Sequence, residues 1–440
     1  MTRALPQFLD RHPDFIFDPE DFVRARWAIP VLERQYTDFL EKNFARGELW
    51  PATSDIEQWL AENAHLSYTA YRNHGCSISA LPVFGKAELR ADPAAYQDPT
   101  LDPHSTWQKD TTGSTGRPIA VLYSELFRLD ILYLSIRKVF SRAGINAASH
   151  FPAVLSLSEN ERSGKWIKID PLDQRSVIVH SVVDTTKDSS YIDAIALLRD
   201  LDSPCLSSKP SVLENLLQFA CQGQPPQLHS IISGGSHLSD DLRMRLSTTF
   251  GCPVINVYGM TEVGIIASEC RERYLHVDKS AFFVETIDES GSKVAEGATG
   301  ELVVSRITNS AMPLLRYKTN DIGAVVTEEC SCGVVGPRII AFHGRKIQCY
   351  KLPSGSLFSP TRLNGFMPRF PMVEEFRVTQ RRIDFFEFEV QLSSRFIDCS
   401  EIFSSISEFL RSVLPPEVSF RVVEQHFRPD SKFQRFRNNI

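Results

Sequence analysis

Short apolar or β-branched runs alternate with helical periods from about residue 105 to residue 343, and this alternation limits the possible folds more than any other feature. One unit is especially clear. Ser239 can cap a helix with a regular apolar face, Gly251 can end that helix, and residues 253–257 then form a strand-like run. Repeated βα units of this kind predict a layered α/β domain, with function expected in the loops that follow the strands.

The two ends of the chain have different patterns. Residues 1–104 are predicted to be mainly helical and to form the N-terminal part of a large domain, whose α/β core covers residues 105–345. The pattern of residues 346–440 predicts a small, separate α+β domain. Three alternating apolar runs between Phe376 and Val422 indicate strands, and an amphipathic helix separates the second run from the third, which gives the order ββαβ.

The charge balance favours small-molecule or protein partners over nucleic acid or membrane. The 440 residues include 54 acidic and 48 basic side chains, a formal net charge of -6, with no polybasic run. The N-terminus lacks a signal-like apolar segment, and no stretch approaches about 18 uninterrupted apolar residues. The nine cysteines are an odd number spread over a long chain. We therefore expect a cytoplasmic protein with reduced thiols.

A loop at residues 111–116 has the composition of a phosphate-binding loop. Its glycines permit sharp turns and its other members supply hydroxyl groups; the six residues are Thr111, Thr112, Gly113, Ser114, Thr115 and Gly116. It is not a Walker A loop, because Arg117 and Pro118 follow where that motif needs a lysine. Taken alone, a hydroxyl-rich surface turn explains the loop equally well.

Further motifs follow the loop in order. They are "SGGSHLS" at 233–239, "VYGMTEVG" at 257–264, "TGELVVSRITNSAMPLLRYKTNDIG" at 299–323, "GRK" at 344–346 and "RPDSKFQRFRNNI" at 428–440. Together with the loop they resemble the adenylate-forming superfamily of acyl-CoA synthetases, and most closely the phenylacetate–CoA ligase family. The resemblance implies a large N-terminal α/β domain hinged to a small, mobile C-terminal domain that carries a catalytic lysine.

The resemblance also implies an activity. A carboxylate attacks the α-phosphorus of ATP to give an acyl-adenylate, and the thiol of CoA then displaces AMP. Glu262 would be catalytic as a Mg²⁺ ligand, with Thr261 beside it, and the loop at 111–116 would hold the leaving pyrophosphate. Asp321 would bind the ribose hydroxyls with help from Arg345. Ser233, Gly234 and Gly235 would lie along the adenine with Tyr258 against its face, and Gly259 and Met260 complete the predicted nucleotide-binding residues.

Lys432 matches the lysine that the small domain delivers in these enzymes, and it would supply the cation that the loop lacks. The alternative is a solvated lysine among neighbouring arginines. Several positions depart from the family pattern, namely Ser236, Asn320, Ser431 and the hinge residue Gln348. These departures leave the acceptor open between CoA, a carrier-protein phosphopantetheine and an amine. A third hypothesis is a nucleotide-binding scaffold that catalyses no reaction.

Three cysteines and one histidine predict a structural metal centre. Cys270 and His276 form a C-x₅-H pair, and Cys330 and Cys332 lie one residue apart. Thiolates and imidazole are the preferred ligands of tetrahedral Zn²⁺, and four of them close the coordination sphere. The alternative is four independent residues. A closed site would stabilise the fold and leave no position for catalysis.

The acid itself is not specified by the motifs. Apolar residues such as Phe151, Val257 and Ile265 suit an aromatic ring or a branched chain equally well. The family resemblance favours an aryl or arylacetic acid and makes a homodimer a further expectation.

Overall fold

The computed structural model describes most of the chain. The described residues are 5–18, 21, 25–44, 52–63, 68–72, 74, 77–102, 106–111, 119–145, 151–159, 164–185, 187–345, 350–355, 357–358, 370, 372–392, 400–425 and 436–438. No helix among them is both long and apolar enough to cross a bilayer.

The α-helices of the described residues lie mainly in the N-terminal part of the chain. The α-helices are α1 (Leu5–Arg11), α2 (Ile29–Phe44), α3 (Ala52–Asn63), α4 (Lys86–Ala91), α5 (Glu125–Leu129), α6 (Ser135–Arg142), α7 (Asp188–Asp200), α8 (Pro210–Ala220), α9 (Asp240–Phe250) and α10 (Ser400–Val413). A π-helical turn, Asp130–Leu134, joins α5 to α6.

Strands account for most of the remaining regular structure. In the N-terminal part they are β1 (Ile16–Phe17), β2 (Thr106–Asp110), β3 (Ala120–Ser124), β4 (Val154–Ser158), β5 (Trp166–Ile169), β6 (Val177–Val182), β7 (Cys205–Ser208), β8 (Ser230–Gly234), β9 (Val254–Met260), β10 (Gly264–Glu269), β11 (Leu275–Val277), β12 (Phe283–Ile287), β13 (Gly300–Arg306), β14 (Leu314–Val326) and β15 (Arg338–Arg345). The rest are β16 (Tyr350–Lys351), β17 (Leu357–Phe358), β18 (Val373–Arg382), β19 (Phe385–Leu392), β20 (Ser419–Glu424) and β21 (Phe436–Asn438).

The chain divides into two compact units. The first consists of Met1–Leu238, Leu242–Thr319 and Gly323–Ala341, and the second contains Phe342–Ile440 together with two short segments. A 13-stranded sheet in the order β1-β5-β6-β4-β7-β8-β9-β10-β11-β15-β14-β13-β12 dominates the first unit. The mixed α/β class predicted from the sequence is confirmed.

The large sheet changes character at β9. The pairs β6–β4, β4–β7, β7–β8 and β8–β9 are parallel. Helix α7 connects β6 to β7, α8 connects β7 to β8 and α9 connects β8 to β9, whereas β4 is linked to β6 through β5, which runs antiparallel to β6. Beyond β9 the chain turns back after three residues, a connection that only an antiparallel pair permits, and β10 and β11 continue in that mode. The βα units were predicted from the sequence, but the antiparallel half was not.

The predicted unit after Ser239 is present with small shifts. Helix α9 begins at Asp240 and ends at Phe250, and its leucines lie in the core beneath the parallel strands. Gly251 follows with φ +62°, a left-handed conformation that glycine adopts without steric cost and that ends the helix. Strand β9 then carries the chain to Met260.

The second unit contains a four-stranded sheet in the order β20-β19-β18-β21. Phenylalanines and valines on one face of β18 and β19, among them Phe376, Phe386 and Phe388, pack against Ile406 and Leu410 of α10. The predicted order ββαβ is therefore observed. The short strand β21 adds a fourth member that runs parallel to β18 and was not predicted.

Candidate active site and metal centre

Two candidate nucleotide-binding segments lie at one edge of the large sheet. Strands β8 and β9 are parallel neighbours, so the residues at their carboxyl ends, Ser233 to Gly235 and Tyr258 to Glu262, share that edge. A Cβ on Gly234 would lie 2.6 Å from Val257 Cγ2, and Gly235 has φ +83°. Both glycines are therefore required by packing or by backbone conformation. The structure brings these predicted residues together.

Glu262 is a buried carboxylate held by two donors. Its Oε1 lies 2.9 Å from the ammonium nitrogen of Lys86 and accepts a hydrogen bond of 3.1 Å from the hydroxyl of Tyr317. Its side chain is 2 % exposed, whereas that of Lys86 is 26 % exposed. A carboxylate at this depth needs such partners. Lys86 is therefore the more accessible member of the pair.

Local pairing explains how these donors reach Glu262. A bridge between Phe84 and Tyr317 joins the segment before α4 to strand β14. The Glu88 carboxylate accepts a hydrogen bond of 2.9 Å from the N–H of Gly85 and caps α4, of which Lys86 is the first residue. Lys86 and Tyr317 are 176 and 55 residues from Glu262, so their roles depend on tertiary structure.

The backbone around Glu262 is fixed on both sides. The hydroxyl of Tyr123 donates to the carbonyl oxygen of Thr261, and Arg306 Nη1 donates to that of Val263 at 2.5 Å. Burial, and then the charge of Glu262, raises the pKa of Tyr123, so its phenol stays a donor. A Cβ on Gly259 would lie 2.6 Å from the carbonyl oxygen of Gly264. This turn therefore has little freedom to move.

Arg306 starts a buried ladder of alternating charges. Its Nη2 donates to Asp130 at 2.7 Å, and the same carboxylate receives Lys138 at 3.0 Å. Lys138 reaches Asp278 at 3.5 Å, and Asp278 also pairs with Arg142 at 3.3 Å. Each charge has at least one opposite neighbour, which is the condition for tolerating ions in a core.

The remaining predicted nucleotide-site residues are only partly described. Thr111 is buried and closes the base of the loop, because its hydroxyl accepts the N–H of Ile119 at 3.0 Å. Thr112, Gly113, Ser114, Thr115, Gly116 and Lys432 lie outside the described residues, as does the side chain of Arg345 at the end of β15.

Asp321 lies on β14 and is buried. Asn320, which precedes it where the family commonly has glycine, has φ +59°. Asparagine is one of the few residues that adopts this left-handed conformation readily. The departure from glycine therefore keeps a left-handed backbone before Asp321.

The predicted metal ligands converge at two neighbouring hairpin connections. One ligand atom from each of Cys270, His276, Cys330 and Cys332 lies within 4.8 Å of the others. Cys270 follows β10, His276 is in β11, and the other two cysteines precede β15. Register pairs His276 with Arg338 of β15, which brings the two connections side by side.

The donor set fits a tetrahedral ion. The distance of 3.5 Å between Cys332 Sγ and His276 Nε2 is close to the edge of a tetrahedron with zinc bonds of about 2.0–2.3 Å. The N–H of Val334 points at Cys332 Sγ at 3.3 Å, a contact that stabilises a thiolate. Gly333, with φ +85°, lets its N–H return to the carbonyl of Cys330. Burial, and then Arg142 and Arg338, lowers the pKa of His276 to about 3, so its imidazole is neutral and able to act as a ligand.

Four residues at this site were not predicted from the sequence, namely Lys86, Tyr123, Arg306 and Tyr317. Only Arg306 and Tyr317 lie inside a quoted motif, and nothing in that motif marks their partners. Lys86 and Tyr123 lie in ordinary helix-start and strand contexts. A pairwise contact signal would have been needed to find them.

Comparisons with known proteins agree with this arrangement. A family model described as AMP-binding enzyme matches residues 179–312. A phenylacetate-coenzyme A ligase of Thermus thermophilus is 27% identical over 215 residues, which are 46% of this chain and 48% of that protein. A second, of Pseudomonas putida, is 29% identical over 137 residues, 29% of this chain and 31% of that protein. The matched segments thus span about half or less of the curated relatives.

Solved structures show the fold over a longer stretch. A 2-hydroxyisobutyryl-CoA ligase in its postadenylation state has a TM-score of 0.64 at 14% identity, covering 94% of this chain and 89% of that one. An anthranilate CoA ligase in complex with anthranoyl-AMP has a TM-score of 0.53 at 14% identity, with 74% and 63% covered. In sequence the chain is similar to AMP-binding enzymes and to phenylacetate-coenzyme A ligases, and its fold is similar to that of the two CoA ligases above.

Proposed function

We propose that this protein is an AMP-forming acid–thiol ligase. In the first step the carboxylate of an acid attacks the α-phosphorus of ATP, which gives an acyl-adenylate and releases pyrophosphate. In the second step the thiol of CoA attacks the acyl carbon, and AMP leaves. The observation that carries the proposal is Glu262, a buried, doubly held carboxylate in its motif at the carboxyl end of a parallel strand.

The chain's own residues have separate roles in the proposed reaction. Residues 111–116 hold the leaving pyrophosphate through hydroxyl and backbone donors, and Ser233 to Gly235 lie along the adenine. Asp321 accepts hydrogen bonds from the ribose hydroxyls, assisted by Arg345. Lys86 adds a positive charge beside Glu262. Lys432, in the C-terminal segment, is proposed as a second cation for the adenylation step. Cations and donors in fixed positions stabilise the charge that develops at phosphorus.

Two metal ions belong to the proposal. The carboxylate of Glu262 supplies the oxygen chemistry that Mg²⁺ requires, and Mg²⁺ when bound neutralises phosphate charge. Zn²⁺ would be held by the Cys₃His set and would tie the two hairpin connections together. The zinc centre is assigned to stability, because four protein ligands complete its coordination.

The acceptor is proposed to be CoA, because the curated relatives and several structural neighbours are CoA ligases. An acid-dependent exchange of pyrophosphate into ATP, followed by CoA-dependent thioester formation, tests both steps. Exchange without thioester formation would assign the acyl group to another acceptor. The absence of exchange across a broad panel of acids, with ATP binding intact, would refute the activity.

Variants test the assigned residues. Glu262→Gln and Lys432→Ala are each expected to lower the exchange rate by at least about 100-fold, because the first removes the carboxylate proposed to hold Mg²⁺ and the second removes a cation proposed to neutralise phosphate charge. Glu289→Gln, at an exposed surface glutamate, is the control and is expected to leave the rate unchanged. Full activity of the Glu262→Gln variant would contradict the role of that carboxylate.

A further inference from the structure

A row of polar side chains crosses the parallel half of the large sheet. Register pairs Ser156 of β4 with His180 of β6 and with Ser207 of β7, so the three side chains lie on one face. Each is two residues beyond a buried member of the core, namely Val154, Ile178 and Cys205. The row is therefore one step nearer the carboxyl edge of the sheet. All three residues are partly exposed, in contrast to the buried row beneath them.

This face belongs to the acyl side of the proposed site. Strands β4, β6 and β7 run parallel to β8 and β9, so their carboxyl ends lie at the same edge as the candidate nucleotide residues. Phe151, Val257 and Ile265, the apolar residues expected to contact the acid, pack in the cluster that contains the buried row. The polar row lies on that same face.

His180 has an unmet hydrogen-bonding atom. Its ring stacks on Trp166 with centroids 5.1 Å apart, and its Nδ1 lies 3.4 Å from the hydroxyl oxygen of Ser156. Its Nε2 is buried and has no hydrogen-bond partner among the described residues. Burial, and then the positive charge of Lys109 two residues before Thr111, lowers the pKa of His180 to about 4. The ring is therefore neutral, with one donor and one acceptor nitrogen.

We propose that His180, with Ser156 and Ser207, recognises a hydroxyl group on the acyl part of the substrate, so that the preferred substrate is a hydroxylated carboxylic acid. A hydroxyl both donates and accepts, and it satisfies Nε2 in either tautomer. An ammonium group is disfavoured by the nearby charge of Lys109, and a second carboxylate would have to be buried against an apolar floor. The inference rests on the proposed acid-activating function.

The experiment measures pyrophosphate exchange with matched acids. Benzoate is compared with its three monohydroxy isomers, and butyrate with 3-hydroxybutyrate. One hydroxylated acid is expected to exceed its parent in kcat/KM by about tenfold or more, because the parent leaves the imidazole nitrogen unpaired. His180→Phe keeps a planar ring and is expected to lose that preference while it still activates the parent acid.

His229→Phe is the matched control. His229 also contacts an aromatic ring and a serine hydroxyl, but it precedes β8 and lies at the opposite edge of the sheet. The control is expected to keep the hydroxyl preference. Activity without any preference for a hydroxylated acid, or a preference that survives in His180→Phe, would overturn the inference. No exchange with any acid in the unaltered protein would instead refute the proposed function on which it rests.

Discussion

Replacing Arg306 by methionine tests whether the buried ladder stabilises the first unit. The Arg306 side chain is 5 % exposed, pairs with Asp130 at 2.7 Å and donates to the carbonyl of Val263 at 2.5 Å. Its guanidinium also lies over the rings of Phe127 and Phe282, at 4.5 and 4.7 Å. Arg306→Met preserves the apolar stem but removes every one of these polar contacts.

The expected loss of stability follows from the groups that lose Arg306 as a partner. Breaking a buried ion pair by removing one partner costs about 3–5 kcal/mol, and an orphaned carbonyl adds to that cost. Lys138 still neutralises Asp130 at 3.0 Å, which favours the lower end of the range. We therefore expect the free energy of unfolding of the first unit to fall by about 3 kcal/mol.

Urea unfolding followed by tryptophan fluorescence is the assay. All five tryptophans, at positions 27, 50, 59, 107 and 166, belong to the first unit, so the signal reports that unit alone. Arg245→Met is the control, because Arg245 makes an ion pair of 3.3 Å with one third of its side chain exposed. Such pairs are worth about 0–1 kcal/mol. An Arg306→Met effect no larger than that of the control would refute the reasoning.

Three further predictions concern other parts of the molecule. Cys332→Ser should lower zinc content, measured by elemental mass spectrometry, from one ion per chain, whereas Cys221→Ser, an exposed thiol outside the cluster, should not. Gly259→Ala should destabilise the first unit by about 1–3 kcal/mol in urea unfolding, since the new Cβ meets a backbone oxygen that cannot move aside. Burial raises the pKa of Asp173, but hydrogen bonds from the N–H groups of Ser176 and Arg175 outweigh that effect and hold the pKa below its usual range. Its stabilisation is present above the unfolded pKa of about 3.9 and is lost as the pH falls below it, so Asp173→Asn should flatten the acid dependence of unfolding.

The sequence predicted the elements whose cause is local. Helix α9 and the glycine that ends it follow from a short-range pattern of capping, apolar period and stop residue. The alternation in β18 and β19 likewise places the apolar side chains on one face, where they pack in the core of the second unit. The convergence of the four candidate metal ligands was predicted because the chemistry of the set is specific, even though Cys270 and Cys332 are 62 residues apart.

Features that depend on tertiary neighbours were not predicted. The pairing of Lys86 with Glu262 joins segments with no common motif, and the charge ladder through Asp130 connects three separate parts of the chain. The antiparallel half of the large sheet was missed because apolar runs do not reveal strand direction. In the sequence, His180 is an ordinary strand residue, and only the strand register shows that it lies beside Ser156.

The most direct test of the central claim follows an oxygen atom. The protein is incubated with ATP, CoA and an acid labelled with oxygen-18 in its carboxylate, and the AMP produced is analysed by mass spectrometry. Attack of the carboxylate on the α-phosphorus transfers one acid oxygen to AMP, so AMP carrying a single oxygen-18 atom is the predicted result. Unlabelled AMP, or label recovered in ADP or orthophosphate, would contradict an acyl-adenylate intermediate.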